Sequence, residues 1–364
     1  MRSVLLVALV LAACGGGTRD VGAASPTRPQ TTPATATQPI NVDDMMGLYA
    51  QQTVFVADVD GVSAITLLNH FIRYVIPTNG KAEAVADGYA TFGTPPSIAS
   101  AWLYVLDGVE TGSGRLRTFD LMTGSERASR TDIGRVASPQ RAIATTIDGR
   151  VLVLKADAHH AWIDAYEPLT LEPQGTVMEK AGCGDRLLAS GSRVAIVCLA
   201  TGRIAVDALR GGGTSLIEGS LPNLAGAAMA DDGTIYAGSA DRQLAVVSPN
   251  ASKLSPLPWP SEWTGTVLPD TLAVATGSPS VVLAELADDG AWLRVFASNN
   301  ISQRQSLRLS GRLTGAPQFG VVAMYPFAYF TSGGSVRHVE LNSGMLETMT
   351  EVGPGATMVA VVNR

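Results

Sequence analysis

Apolar and polar positions alternate in short runs along most of the chain, and the runs recur. Leu116-Arg117-Thr118-Phe119-Asp120-Leu121-Met122-Thr123-Gly124 reads as a strand of period two that closes on a glycine turn. Residues 336–344 and 72–80 match this unit, and residues 163–168, 203–208, 244–249 and 293–298 are weaker copies. Aligned on Asp120, the copies place Ile76, Asp120, Glu167, Asp207, Ser248, Ala297 and Glu340 at one position, with spacings of 44, 47, 40, 41, 49 and 43 residues. Seven such units account for residues 51–362.

One unit shows how its strands are ordered. Residues 141–146 form an inner strand, and Asp148-Gly149 is a favoured hairpin turn. A second strand covers 151–154, a third 162–166 and a fourth 175–177. Further Asp-Gly turns occur at 60–61, 107–108, 232–233 and 289–290. A period of 40–50 residues with several short strands is the mark of a β-propeller. The units resemble the blades of bacterial WD40-like and quinoprotein-like propellers, in which the third strand ends on an acidic residue and a Thr-Gly or Ser-Gly turn, as at Thr123-Gly124 and Ser343-Gly344. The expected fold is all-β, a seven-bladed propeller. Six or eight blades stay open, because the units near 76 and 297 are poorly marked. After the last unit one strand remains, 356–362, while the first unit has no inner strand. The C-terminal strand is therefore expected to close the ring and remove an open sheet edge.

The N-terminus follows another pattern. Arg2 precedes an apolar run over 4–11, too short to span a bilayer, which needs about 20 residues. Leu11-Ala12-Ala13-Cys14 resembles the lipobox of bacterial lipoproteins. That resemblance implies removal of residues 1–13 as a signal peptide and attachment of lipid to Cys14. Residues 14–47, with Pro at 26, 29, 33 and 39 among Thr and Ala, read as a tether with a reach of about 30 Å. Residues 48–364 are expected to form the propeller. The expected location is extracytoplasmic, on the cell membrane, or on the outer membrane of a Gram-negative cell.

Composition narrows the class. Charged residues are 16%, against a usual share of about 25%, and Gly (38) with Pro (20) exclude a helical bundle. A net charge of -6 argues against a nucleic-acid partner held through its phosphates. Beyond Cys14 there are two cysteines, 183 and 198. A hairpin turning near Gly191 would set them face to face, so a disulfide is expected, favoured by export.

Candidate chemistry is sparse. The sequence contains no nucleophile elbow, phosphate loop, H-E-x-x-H or C-x-x-C motif. His159-His160 reads as an exposed turn, and Asp58-Val59-Asp60-Gly61 as a hairpin rather than a calcium loop. Residues leading into inner strands at the channel mouth are Gln140, Asp185, Asn223, Asp270 and Gln318, an oxygen-rich set that could hold Ca²⁺ or another ligand. No other cofactor or metal is implied. The Ala-rich inner strands at 224–230 and 272–276 offer no proton carrier for acid–base work. The loop 256–263 carries Trp259 and Trp263 among three prolines, an arrangement able to anchor a protein partner. The expected function is that of a binding or scaffold module tethered to the cell envelope, of the plan seen in the outer-membrane assembly propeller lipoprotein. The alternative is a propeller enzyme of lactonase-like or quinoprotein-like type.

Overall fold

The computed structural model describes residues 53–362, apart from 59–60, 67–68, 79–81, 93–96, 110–113, 122, 137–140, 147, 192, 210–212, 276–279, 299, 310–317, 325–326 and 354–355. Cys14, the signal segment, the tether and Gln140 lie outside the described residues.

The chain folds into seven antiparallel sheets. Blade 2 is made of Ala82–Phe92, Ser97–Asp107, Arg115–Asp120 and Glu126–Arg130, from inside to outside. Blade 3 follows with Ile143–Thr145, Val151–Ala156, His160–Tyr166 and Pro173–Ala181, and blade 4 with Arg186–Ala189, Arg193–Cys198, Arg203–Ala208 and Ser215–Leu216. Blade 5 holds Leu224–Met229, Ile235–Ser239, Gln243–Val247 and Ser255–Leu257. Blade 7 holds Gln318–Met324, Phe327–Ser332, Ser335–Glu340 and Leu346–Glu351. In blade 6 the inner strand is broken into Thr266–Val267 and Ala273–Val274, both paired to Ser280–Ala287, with Gly290–Ala297 and Asn300–Arg308 outside.

Blade 1 closes the ring. Its inner strand is the C-terminal Thr357–Val362, paired antiparallel to Thr53–Ala57, with Gly61–Thr66 and Ile72–Pro77 beyond. One repeat unit is thereby corrected. Ile72–Pro77, expected to be the third strand of its blade, is the fourth and outermost, and Gly61–Thr66 takes the third place. Both strands alternate alike, so period alone does not separate them. The other six aligned positions sit at or beside the ends of third strands.

Packing follows from the period of two. Alternate residues of a strand face opposite neighbours, and here both faces are covered. Phe55 and Ala57 join Leu103 and Val105 of blade 2, while Val54 and Val56 join Tyr329 and Val336 of blade 7. Tyr104 and Leu106 turn the other way, into the cluster with Leu152, Leu154 and Ile163 of blade 3. Equivalent clusters fill the seams between blades 4 and 5, 5 and 6, and 6 and 7. Among the described residues no helix is long and apolar enough to cross a membrane.

The acidic residue of the repeat earns its place by capping the turn. Asp120 Oδ1 accepts the Thr123 N–H at 3.1 Å, and Glu167 Oε2 accepts the N–H groups of Leu169 and Thr170 at 2.8 and 2.6 Å. Gly124 and Gly344 follow with φ of 67° and 71°, the left-handed conformation. At Gly124 a Cβ would also lie 2.7 Å from the Tyr74 ring, so no larger residue fits without displacing it.

Candidate functional site

The break in the inner strand of blade 6 brings residues of four blades together. The turn between its two halves puts Asp270 in a left-handed conformation (φ 55°), and the Asp270 N–H donates to the Ala225 carbonyl of blade 5 at 3.1 Å. Thr271 Oγ1 braces the turn, donating to the Leu268 carbonyl at 2.8 Å. The Asp270 side chain passes beyond blade 5 to Arg186 of blade 4. Arg186 Nε donates to Oδ1 at 2.6 Å, and Nη2 donates to Oδ2. Arg141, at the start of blade 3, donates from Nη2 to the Asp270 carbonyl at 3.1 Å. One turn of blade 6 is thus tied to blades 3, 4 and 5. Burial pushes the Arg141 pKa down, the Asp270 carboxylate opposes that, and the Arg186 charge adds to it.

The residues expected at the mouth are placed as follows. Asp185 caps its own hairpin: Oδ2 accepts the Leu199 N–H at 2.8 Å. Asn223 is left-handed (φ 52°) and donates from Nδ2 to Asp241 at 2.6 Å. Asp270 is paired with Arg186 as above. Gln318 begins the inner strand of blade 7, its side chain outside the described residues. The Asp185 carboxylate thus accepts from backbone and the Asp270 carboxylate is paired with Arg186. Arg141 and Arg186 each adjoin a residue singled out in the sequence, and a pattern of oxygen donors does not reveal them.

Cys183 and Cys198 form a disulfide, with Cα atoms 5.5 Å apart. The expected register is corrected: Arg186 pairs with Val197, so Asp185 and not Cys183 lies opposite Cys198, and Cys183 closes the bond from two residues upstream. Beside it a cleft of about 740 Å³ is lined by Lys180, Thr201, Arg203, Thr214 and Ser220.

The tryptophan loop turns inward. Trp263 is only 1% exposed, tilted against Phe296 and under the Arg294 guanidinium. Trp259 lies edge-on to it, with Nε1 donating to the Trp263 carbonyl at 2.7 Å. This loop packs on its own blades, leaving Trp259 half-buried. The Asp157 carboxylate accepts the N–H groups of His159 and His160, as a turn requires. Asp58 Oδ1 accepts the Gly61 N–H at 3.0 Å, in keeping with a hairpin there.

The outer edge of blade 1 is different in character. Phe71, Ile72 and Val75 are 69%, 43% and 50% exposed, and they are three of the seven large apolar side chains exposed among the described residues. Among the described residues the strand Ile72–Pro77 is paired on one side, with Gly61–Thr66.

These features define the class: a seven-bladed β-propeller closed by strand exchange between the two ends of its ring. No family model and no curated protein sequence matches the chain. Solved structures do. The periplasmic gluconolactonase PpgL of Pseudomonas aeruginosa is similar over 86% of this chain and 99% of its own, with a TM-score of 0.60 and 14% identity. A chain of the nidogen/laminin complex is similar over 86% and 98%, with a TM-score of 0.50 and 12% identity. BamB from Moraxella catarrhalis is similar over 85% of each chain, with a TM-score of 0.48 and 16% identity. At such identities the likeness is one of fold, shared by propellers of unlike function.

Proposed function

We propose that this chain is an extracytoplasmic lipoprotein, held at the membrane through Cys14, whose propeller binds a protein partner of the cell envelope. The observation that carries the reading is the exposed apolar edge of blade 1. An edge strand offers unpaired backbone groups, and apolar side chains along it give a partner's extended segment something to bury. Soluble domains ordinarily blunt such edges with charge or cover; here Arg73 is the one charged residue of the strand.

The channel mouth supports the same reading. Acid–base catalysis needs a proton carrier aimed at substrate, whereas the Asp270 carboxylate is held by Arg186 and the Asp185 carboxylate by backbone. The test is purification of the intact protein from its own membranes under mild detergent. Acylated Cys14 at the mature N-terminus and one stoichiometric protein partner are expected. An unacylated, freely soluble protein carrying a small molecule would overturn the proposal in favour of an enzyme.

A further inference from the structure

We propose that His70, His338 and Glu347 form a site for one divalent transition-metal ion of the zinc class, at the outer rim of the seam where blade 7 meets blade 1. The three residues come from both sides of that seam. His70 lies in the turn between Gly61–Thr66 and Ile72–Pro77 of blade 1. His338 lies in Ser335–Glu340 of blade 7, and Glu347 is its cross-strand partner in Leu346–Glu351.

The geometry is close to a coordination shell. His338 Nε2 and Glu347 Oε2 are 3.1 Å apart, and the His70 and His338 rings meet edge-on at 5.3 Å. One donor atom from each of the three residues lies within 4.8 Å of the others. Zinc bonds of about 2.0–2.2 Å at tetrahedral angles set donors about 3.4 Å apart. The blade 7 pair is already near that spacing at 3.1 Å, and His70, on a turn, lies within 4.8 Å of it.

The surroundings favour ligation. His70 is held in a left-handed conformation (φ 60°), uncommon for a residue with a side chain, by its N–H bond to the Thr66 carbonyl at 3.0 Å. That conformation costs energy and aims the imidazole at blade 7. His338 is packed against the rings of Phe327 and Tyr329 at 5.0 and 6.0 Å. Two imidazoles and one carboxylate suit zinc and its neighbours better than calcium or magnesium. Three protein donors leave a fourth position for water.

The test uses the mature, full-length propeller with zinc chloride as probe. Metal content after dialysis and thermal melting are compared for wild type, His70→Asn and Glu347→Gln. Asn tolerates left-handed backbone, so the turn keeps its shape in the first variant. The expected result is one zinc per chain and a zinc-dependent rise in Tm for wild type. Both variants should bind more than about tenfold more weakly while melting as wild type does without metal. Absence of zinc from wild type, retention by either variant, or equal stabilisation by calcium would overturn the assignment.

Discussion

Leu171 shows how the repeat survives the loss of its glycine. It stands four residues after Glu167, as Gly124 stands after Asp120, and it adopts the same left-handed backbone (φ 57°). Its N–H donates to the Glu167 carbonyl at 3.0 Å, while the side chain is fully buried between blades. Burial of a leucine is worth about 1.5–3 kcal/mol, enough to offset the cost of the turn. A motif search sees the missing glycine and not the compensation. The channel mouth hides for a related reason: Arg186 and Asp270 are 84 residues apart, and Arg141 and Asp270 are 129 apart. No local pattern links them. The pair itself can be tested. Arg186 and Asp270 are both buried, so Arg186→Ala or Asp270→Ala leaves an uncompensated charge and should cost about 3–5 kcal/mol in urea unfolding. Replacing both, as Arg186→Met with Asp270→Leu, should cost much less than the sum of the single changes. Additive losses would show that the two residues act independently.

At the scale of strands, the alternation was legible because the blades bury both faces and the third strands of blades 2, 3 and 7 end in turns held by an acidic side chain. The count of seven, the Asp-Gly hairpins and the closing strand all rest on that regularity. What misled was also regular. Ile72–Pro77 alternates as a third strand does, and only its place beyond Gly61–Thr66 shows it to be outermost. The broken inner strand of blade 6 was not legible, since its halves are two residues each and Leu272 to Ala275 reads as continuous. The disulfide was found with its register off by two, because the hairpin turns later than Gly191 alone suggests. Its separation of 15 residues gives a loop-entropy contribution of about 3 kcal/mol. The double variant Cys183→Ser and Cys198→Ser should lose that amount in denaturant titration, with no change of fold by circular dichroism. An unchanged midpoint would mean that the bond adds nothing to the hairpin.

At the scale of the whole molecule, the ring explains the low charge content. Sheets packed face to face leave charge to turns and outer strands, and most outer strands here carry it, as Glu126–Arg130 does with Arg127 paired to Asp120. Blade 1 carries a single charge there, Arg73, and Phe71, Ile72 and Val75 face solvent around it. We propose that this edge receives a partner. Burying a valine is worth about 1.5–3 kcal/mol, and 1.4 kcal/mol is a factor of ten in affinity. The most direct measurement is quantitative recovery of the co-purifying protein with wild type, Val75→Lys and Leu169→Lys, the last an exposed apolar site on another blade. One partner should be recovered equally with wild type and Leu169→Lys, and reduced about tenfold or more with Val75→Lys at unchanged Tm. Equal recovery from all three, or no partner with any, would contradict it.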